Sequence, residues 1–289
     1  MASSLSGRTP AYVAAIGDRN RLLAELRRRG SRGGVIAPHR AMLTGRLTPS
    51  LVVSILVIPV LTAVVMALAL RPLGSLWGTM LRWLMERTSL PGDVALQGIE
   101  LGPIFSFAVP YATTLARLPV WSDMVAMSAV CAILLFIAWM LPSRFLPLAY
   151  YLRFGVLVQL TAILVFAIRP DSFPYALPPY TASLMEIGAA VLVLMPLVYG
   201  CTLFPFDIAL WRKLALSLMA LGHLAMLVPL QVFIHAYVIH HLSLLVMPTM
   251  FFLWGILVHV FVFVAFYGWG MSWPEATPSA NRSAGLAPR

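Results

Sequence analysis

Charge is what this 289-residue chain has least of. Asp, Glu, Lys and Arg together make up 10% of it, against about 25% in soluble domains. A chain so poor in charge and 61% apolar cannot cover a water-soluble surface, and that places it among membrane proteins. Cysteine is nearly absent. Cys131 lies inside one apolar run and Cys201 ends another. The spacing of these two residues excludes redox and zinc motifs and leaves small packing residues. Phosphate-binding glycine loops, HExxH, GxSxG and GxGxxG are also missing, which removes the common signatures of nucleotide, zinc-protease, hydrolase and dinucleotide chemistry. The first long apolar run begins near Leu51, too late for a cleavable signal peptide.

The charge that is present is unevenly placed. Residues 1–49 hold nine arginines against Asp18 and Glu25. Val13, Ile16, Leu22, Leu23 and Leu26 recur at helical spacing among them, so 1–49 is expected to be a cytoplasmic segment containing a basic amphipathic helix. Arg27, Arg28 and Arg29 would lie on an anionic leaflet. Nucleic acid is not the expected partner. Membrane lipid is, together with other membrane subunits.

Apolar runs of about 20 residues, the length that crosses a hydrocarbon core of roughly 30 Å, recur at 51–70, 122–141, 149–168, 180–200, 214–240 and 244–270. The expected fold is therefore an all-α, polytopic membrane helix bundle of about six transmembrane helices. The short loops carry Arg144, Arg153, Arg212 and Lys213 on one side and Arg169 on the other. That bias puts both termini in the cytoplasm and suits a bacterial-type inner membrane. Residues 274–289 are polar and proline-rich and read as a disordered tail.

Residues 71–120 fit less simply. Leu73–Arg87 has an amphipathic pattern with Trp77 and Trp83 at interfacial positions, and 98–116 is apolar but interrupted by Gly102, Pro103 and Pro110. This outer stretch is expected to be amphipathic or re-entrant, with a seventh span as the alternative.

Polar side chains inside the spans are costly and mark candidate sites. Glu186, His235, Gln159 and Gln231 fall in the outer part of their spans and form a candidate polar cluster. His223 and His259 fall near mid-membrane on antiparallel spans and form a candidate facing pair. The metal reading of that pair is a haem b held by His223 and His259. The plainer reading has each imidazole bonded across helices. No catalytic residue is singled out. The expected function is a non-enzymatic, transporter-like or envelope-complex subunit with a polar intramembrane cluster. A haem-bearing redox subunit and an intramembrane enzyme acting on a lipid-linked substrate are the alternatives.

Overall fold

The computed structural model describes residues 52–101, 105–170, 173–202 and 210–272. The basic segment with Arg27, Arg28 and Arg29 and the 274–289 tail lie outside these. Among the described residues six helices are long and apolar enough to cross a membrane. A π-helical turn, Val53–Val57, leads into α1, Ile58–Arg87. Then come α2, Trp121–Met140, α3, Leu146–Ile168, α4, Leu177–Thr202, and α5, Leu210–His241. The sixth span is assembled from pieces: a 3₁₀ turn Leu244–Val246, a helical turn Met247–Thr249, a π-helical stretch Met250–Ile256 and α6, Leu257–Ser272. Helices suit these runs because in lipid every backbone group must be bonded within its own segment.

The spans near 51–70 and the amphipathic stretch 73–87 are one continuous rod. Pro72 sits inside α1 without ending it, since a proline removes one N–H donor and neighbouring groups can compensate. The rod continues because Leu70, Gly74, Trp77, Gly78, Leu81 and Met85 are all buried, a stripe at three- and four-residue spacing. Trp77, expected at the interface, is 1% exposed. Its Nε1 donates to the Ala225 carbonyl at 2.7 Å, in the middle of α5.

The main departure from an all-α fold is at residues 94–112. These form an antiparallel hairpin, β1 Val94–Leu101 and β2 Phe105–Ala112. The register pairs Val94 with Ala112 and Leu101 with Phe105. Phe107, Val109 and Ala112 are buried, so β2 is wedged against α1, α4 and α5. Gly74 lets it in: a Cβ there would stand 2.7 Å from the Ala108 carbonyl oxygen.

α4 and α5 form the centre. Half of the most apolar window of each is buried, against 17% for α2. Their contact is close because Gly188 leaves room for Val228, a small-residue approach typical of membrane helix pairs. α2 packs on α3, and Arg153 Nη2 of α3 donates to the Ala138 carbonyl near the end of α2 (3.3 Å). That places a cation at the negative end of a helix.

The chain after β2 crosses the bundle as a strap, residues 113–120. His240 Nδ1 donates to the Leu115 carbonyl (2.6 Å) and the Leu244 N–H donates to the Arg117 carbonyl (3.1 Å). Arg117 then pairs with Asp123 in the first turn of α2, one of the two bonds being 2.9 Å. The hydrogen bonds it donates to Asp123 hold the Arg117 guanidinium above its ordinary pKa.

Candidate functional site

The polar residues of the spans fall into distinct settings rather than one cluster. Gln159 and Gln231 hold backbone. The π-helical stretch Met250–Ile256 breaks the regular i→i−4 ladder, and misaligned carbonyls need other donors. Gln231 Nε2 supplies them, donating to the Trp254 carbonyl (2.5 Å) and the Gly255 carbonyl (3.0 Å). Earlier in the same span, before the π-helical stretch, Gln159 Nε2 donates to the Leu245 carbonyl (3.1 Å) and its Oε1 accepts from Thr249 Oγ1 (2.7 Å). Both glutamines are buried. They clamp the irregular start of the sixth span to α5 and α3.

Glu186 does not meet His235. It is half-buried, and its Oε1 accepts from Gln97 Nε2 of β1 at 2.7 Å. The partner comes from the hairpin, which is why the spans alone could not supply it. Neighbouring Thr181 donates to the Ala112 carbonyl (3.1 Å), so α4 grips the hairpin at two levels.

His235 is fully buried. Its Nδ1 is hydrogen-bonded to the hydroxyl of Tyr180 (2.6 Å), and the two rings lie nearly parallel with centroids 5.8 Å apart. Its Nε2 is buried without a hydrogen-bond partner. If Tyr180 donates to Nδ1, Nε2 carries an unpaired proton. If Nδ1 donates to Tyr180, Nε2 carries an unpaired lone pair. Either way an open nitrogen faces the interior, which costs about 1–3 kcal/mol.

His223 and His259 do not form a facing pair. His223 is exposed on α5, and its ring meets Phe266 edge-on at 5.7 Å. Phe266 is seven residues past His259, about 10 Å along a helix. The two rings therefore do not share a level, and the arrangement does not fit a bis-histidine haem. His259 instead is 7% exposed, with Nδ1 buried and unpartnered. Among the described residues no group of three or more His, Cys, Asp or Glu is placed to hold a metal ion.

The sixth span brings His259 into the same seam as His235. Gln231 bonds Gly255, so these faces of α5 and the sixth span are in contact. His235 lies four residues after Gln231 and His259 four after Gly255. The segments run antiparallel, and His259 comes close enough to His235 for the two imidazoles to interact electrostatically. Sequence reasoning missed Tyr180 and Gln97. Tyr180 follows a proline pair at a helix start and reads as an interfacial aromatic. Gln97 lies in a stretch with no span to place it. No family model, curated protein or solved structure matches this chain.

Proposed function

We propose that this integral membrane protein is non-enzymatic and transporter-like, and that its central seam passes protons. The observation that carries the reading is the pair of buried imidazoles, His235 and His259, each with one ring nitrogen lacking a partner. An open nitrogen on a neutral imidazole can take up a proton and release it to a neighbour, and ionisable groups within spans are commonly such relays. Tyr180 leads to His235 from the strap side, and His259 is close enough to His235 to interact with it electrostatically. In this reading the protein sits in a bacterial-type inner membrane with its amino terminus in the cytoplasm, as the arginine bias indicates. The basic segment of residues 1–49 rests on anionic lipid.

The test is proton flux into vesicles reconstituted with the purified protein, followed with an entrapped pH dye under an imposed potential. Wild type should conduct, and His235→Gln and His259→Gln should each lower the flux at least about tenfold while eluting as folded protein, since removing one relay group breaks the chain. No flux from wild type, or flux from both variants equal to that of wild type, refutes the reading.

A second reading, a subunit of an envelope complex, is favoured by β1. Leu96 of this outer strand is 67% exposed and Gln97 and Gly98 beside it are also exposed. Photo-crosslinking from position 96 in native membranes tests it: a discrete adduct supports a partner and its absence removes this reading.

A further inference from the structure

The hairpin runs down beside the spans rather than away from them. Its root is held at the start of α4, where Thr181 bonds the Ala112 carbonyl. Further along, Gln97 reaches Glu186, the tenth residue of α4. On its other face, Gly78, Gly74 and Arg71 of α1 meet Pro110, Ala108 and Ser106 in turn, the last by Arg71 Nε donating to the Ser106 carbonyl (3.2 Å). Trp77, on the same stretch of α1, reaches the sixteenth residue of α5. An eight-residue strand is about 26 Å long and the 26 residues of α4 about 39 Å. The hairpin thus extends over more than half the length of the central helix.

At that depth an open sheet edge has few solutions. The sheet described has two strands. β2 is covered by helices, and β1 presents its other edge outward. Backbone polar groups facing lipid are not tolerated, so an irregular or open-edged segment at membrane depth must be covered by protein or face water. Beside this edge is a cleft of about 610 Å³ between α1 and the hairpin. Its walls include Arg71 and Ser75 of α1 and Leu96, Gly98 and Ser106 of the hairpin. Arg71, Ser75, Gly98 and Ser106 are exposed. Leu96, Ile99 and Phe107 make part of this wall apolar, but Arg71, the two serines and the open strand edge need water or polar partners at this depth. Gly98 adds room, because a Cβ there would meet nothing within 4 Å.

We infer that the cleft between α1 and β1 is a water-filled crevice, continuous with the aqueous phase on the strap side, that admits small hydrophilic solutes to the level of Glu186. This goes beyond the proton reading and does not depend on it. The crevice gives a polar solute a route to mid-bundle that bypasses the sealed His235 seam.

Cysteine accessibility tests it. In a chain with Cys131→Ala and Cys201→Ser, single substitutions Ser75→Cys and Gly98→Cys probe the two walls. Leu115→Cys in the strap, 73% exposed, serves as the aqueous reference, and Leu68→Cys on α1, 62% exposed, as the lipid reference. The probe is a membrane-impermeant sulfonate thiol reagent applied to sealed vesicles of both orientations. Thiols react as thiolates, which form in water and not in hydrocarbon, so both wall cysteines should react within about tenfold of Leu115→Cys and at least about a hundredfold faster than Leu68→Cys. Labelling after denaturation confirms that every thiol is present. Wall cysteines as slow as Leu68→Cys, whether shielded by lipid or by a partner chain, overturn the proposal. The readout needs no transport activity, so it stands or falls separately from the flux experiment.

Discussion

Replacing Gln231 with methionine isolates the clamp on the π-helical stretch. Methionine keeps the length and packing of glutamine and removes its donors. In the native protein one Nε2 serves the carbonyls of Trp254 and Gly255. Hydrogen bonds between membrane helices are worth about 0.6 kcal/mol on average and up to about 1.7. Leaving a buried carbonyl unpaired costs about 1–3 kcal/mol. Two carbonyls sharing one donor should therefore cost about 1–3 kcal/mol together, a change of roughly 5- to 150-fold in the unfolding equilibrium. The stretch has one escape, which is to rewind into α-helix and recover i→i−4 bonds. That would rotate everything after it by about 100°, the angle per residue of an α-helix, and carry His259 out of the seam. Unfolding in lipid bicelles measures the first effect and backbone hydrogen exchange across Met250–Ile256 the second. Exposed Thr161, which bonds only the Leu157 carbonyl of its own helix, is the control, and Thr161→Ala should stay within about 0.5 kcal/mol of wild type. If Gln231→Met is as stable as wild type and exchange in the π stretch is unchanged, the glutamine is not the clamp and the reasoning fails.

Four further outcomes follow from particular contacts. Gly74→Leu puts a side chain where the Ala108 backbone lies 2.7 Å from a Cβ, so it should lift the hairpin and cost about 1–3 kcal/mol in thermal unfolding. Gly78→Ala, with its nearest contact at 3.6 Å, should cost little, within about 0.5 kcal/mol. His240→Ala removes the bond to the Leu115 carbonyl and should speed hydrogen exchange of the strap about fivefold, the equivalent of roughly 1 kcal/mol. Arg117→Ala should change stability little, and less in high salt, because Arg117 is 49% exposed and its pair with Asp123 is screened by water.

The spans were legible because the bilayer imposes one length and one composition on every crossing. Leu51, where the first apolar run starts, and the five later runs could be found by counting. The hairpin was harder. FSFAVPYA alternates between faces, and VALQGIEL precedes it across a Gly-Pro break, which is a hairpin signal. Proline is unfavourable in a paired strand, and Pro110 with the apolar total reads instead as an interrupted membrane segment. What admits Pro110 is the packing of β2 against Gly78, a tertiary fact. The candidate site was legible only as a set of costly residues. Gln159 and Gln231 stand out in any hydropathy reading, but their partners are carbonyls misaligned by a π-helix, which no side-chain pattern announces. Glu186 and His235 were both expected in the outer part of their spans, which suggested a meeting. Helix rotation sent one to the hairpin and the other to Tyr180. The expected His223–His259 pairing failed for the same reason, since depth arithmetic fixes height and not facing.

The strap has a mechanical consequence. Residues 113–120 are anchored behind to β2 and ahead to Asp123 of α2, and are tied in between to both sides of the turn joining α5 to the sixth span, at His240 and Leu244. The strap therefore works as a tether between parts that are far apart in sequence. A displacement of that turn pulls on the hairpin root, and a displacement of the hairpin pulls on the turn. A molecule seated beside β1 could thus be felt at the helix end that carries His235 without any contact between the two.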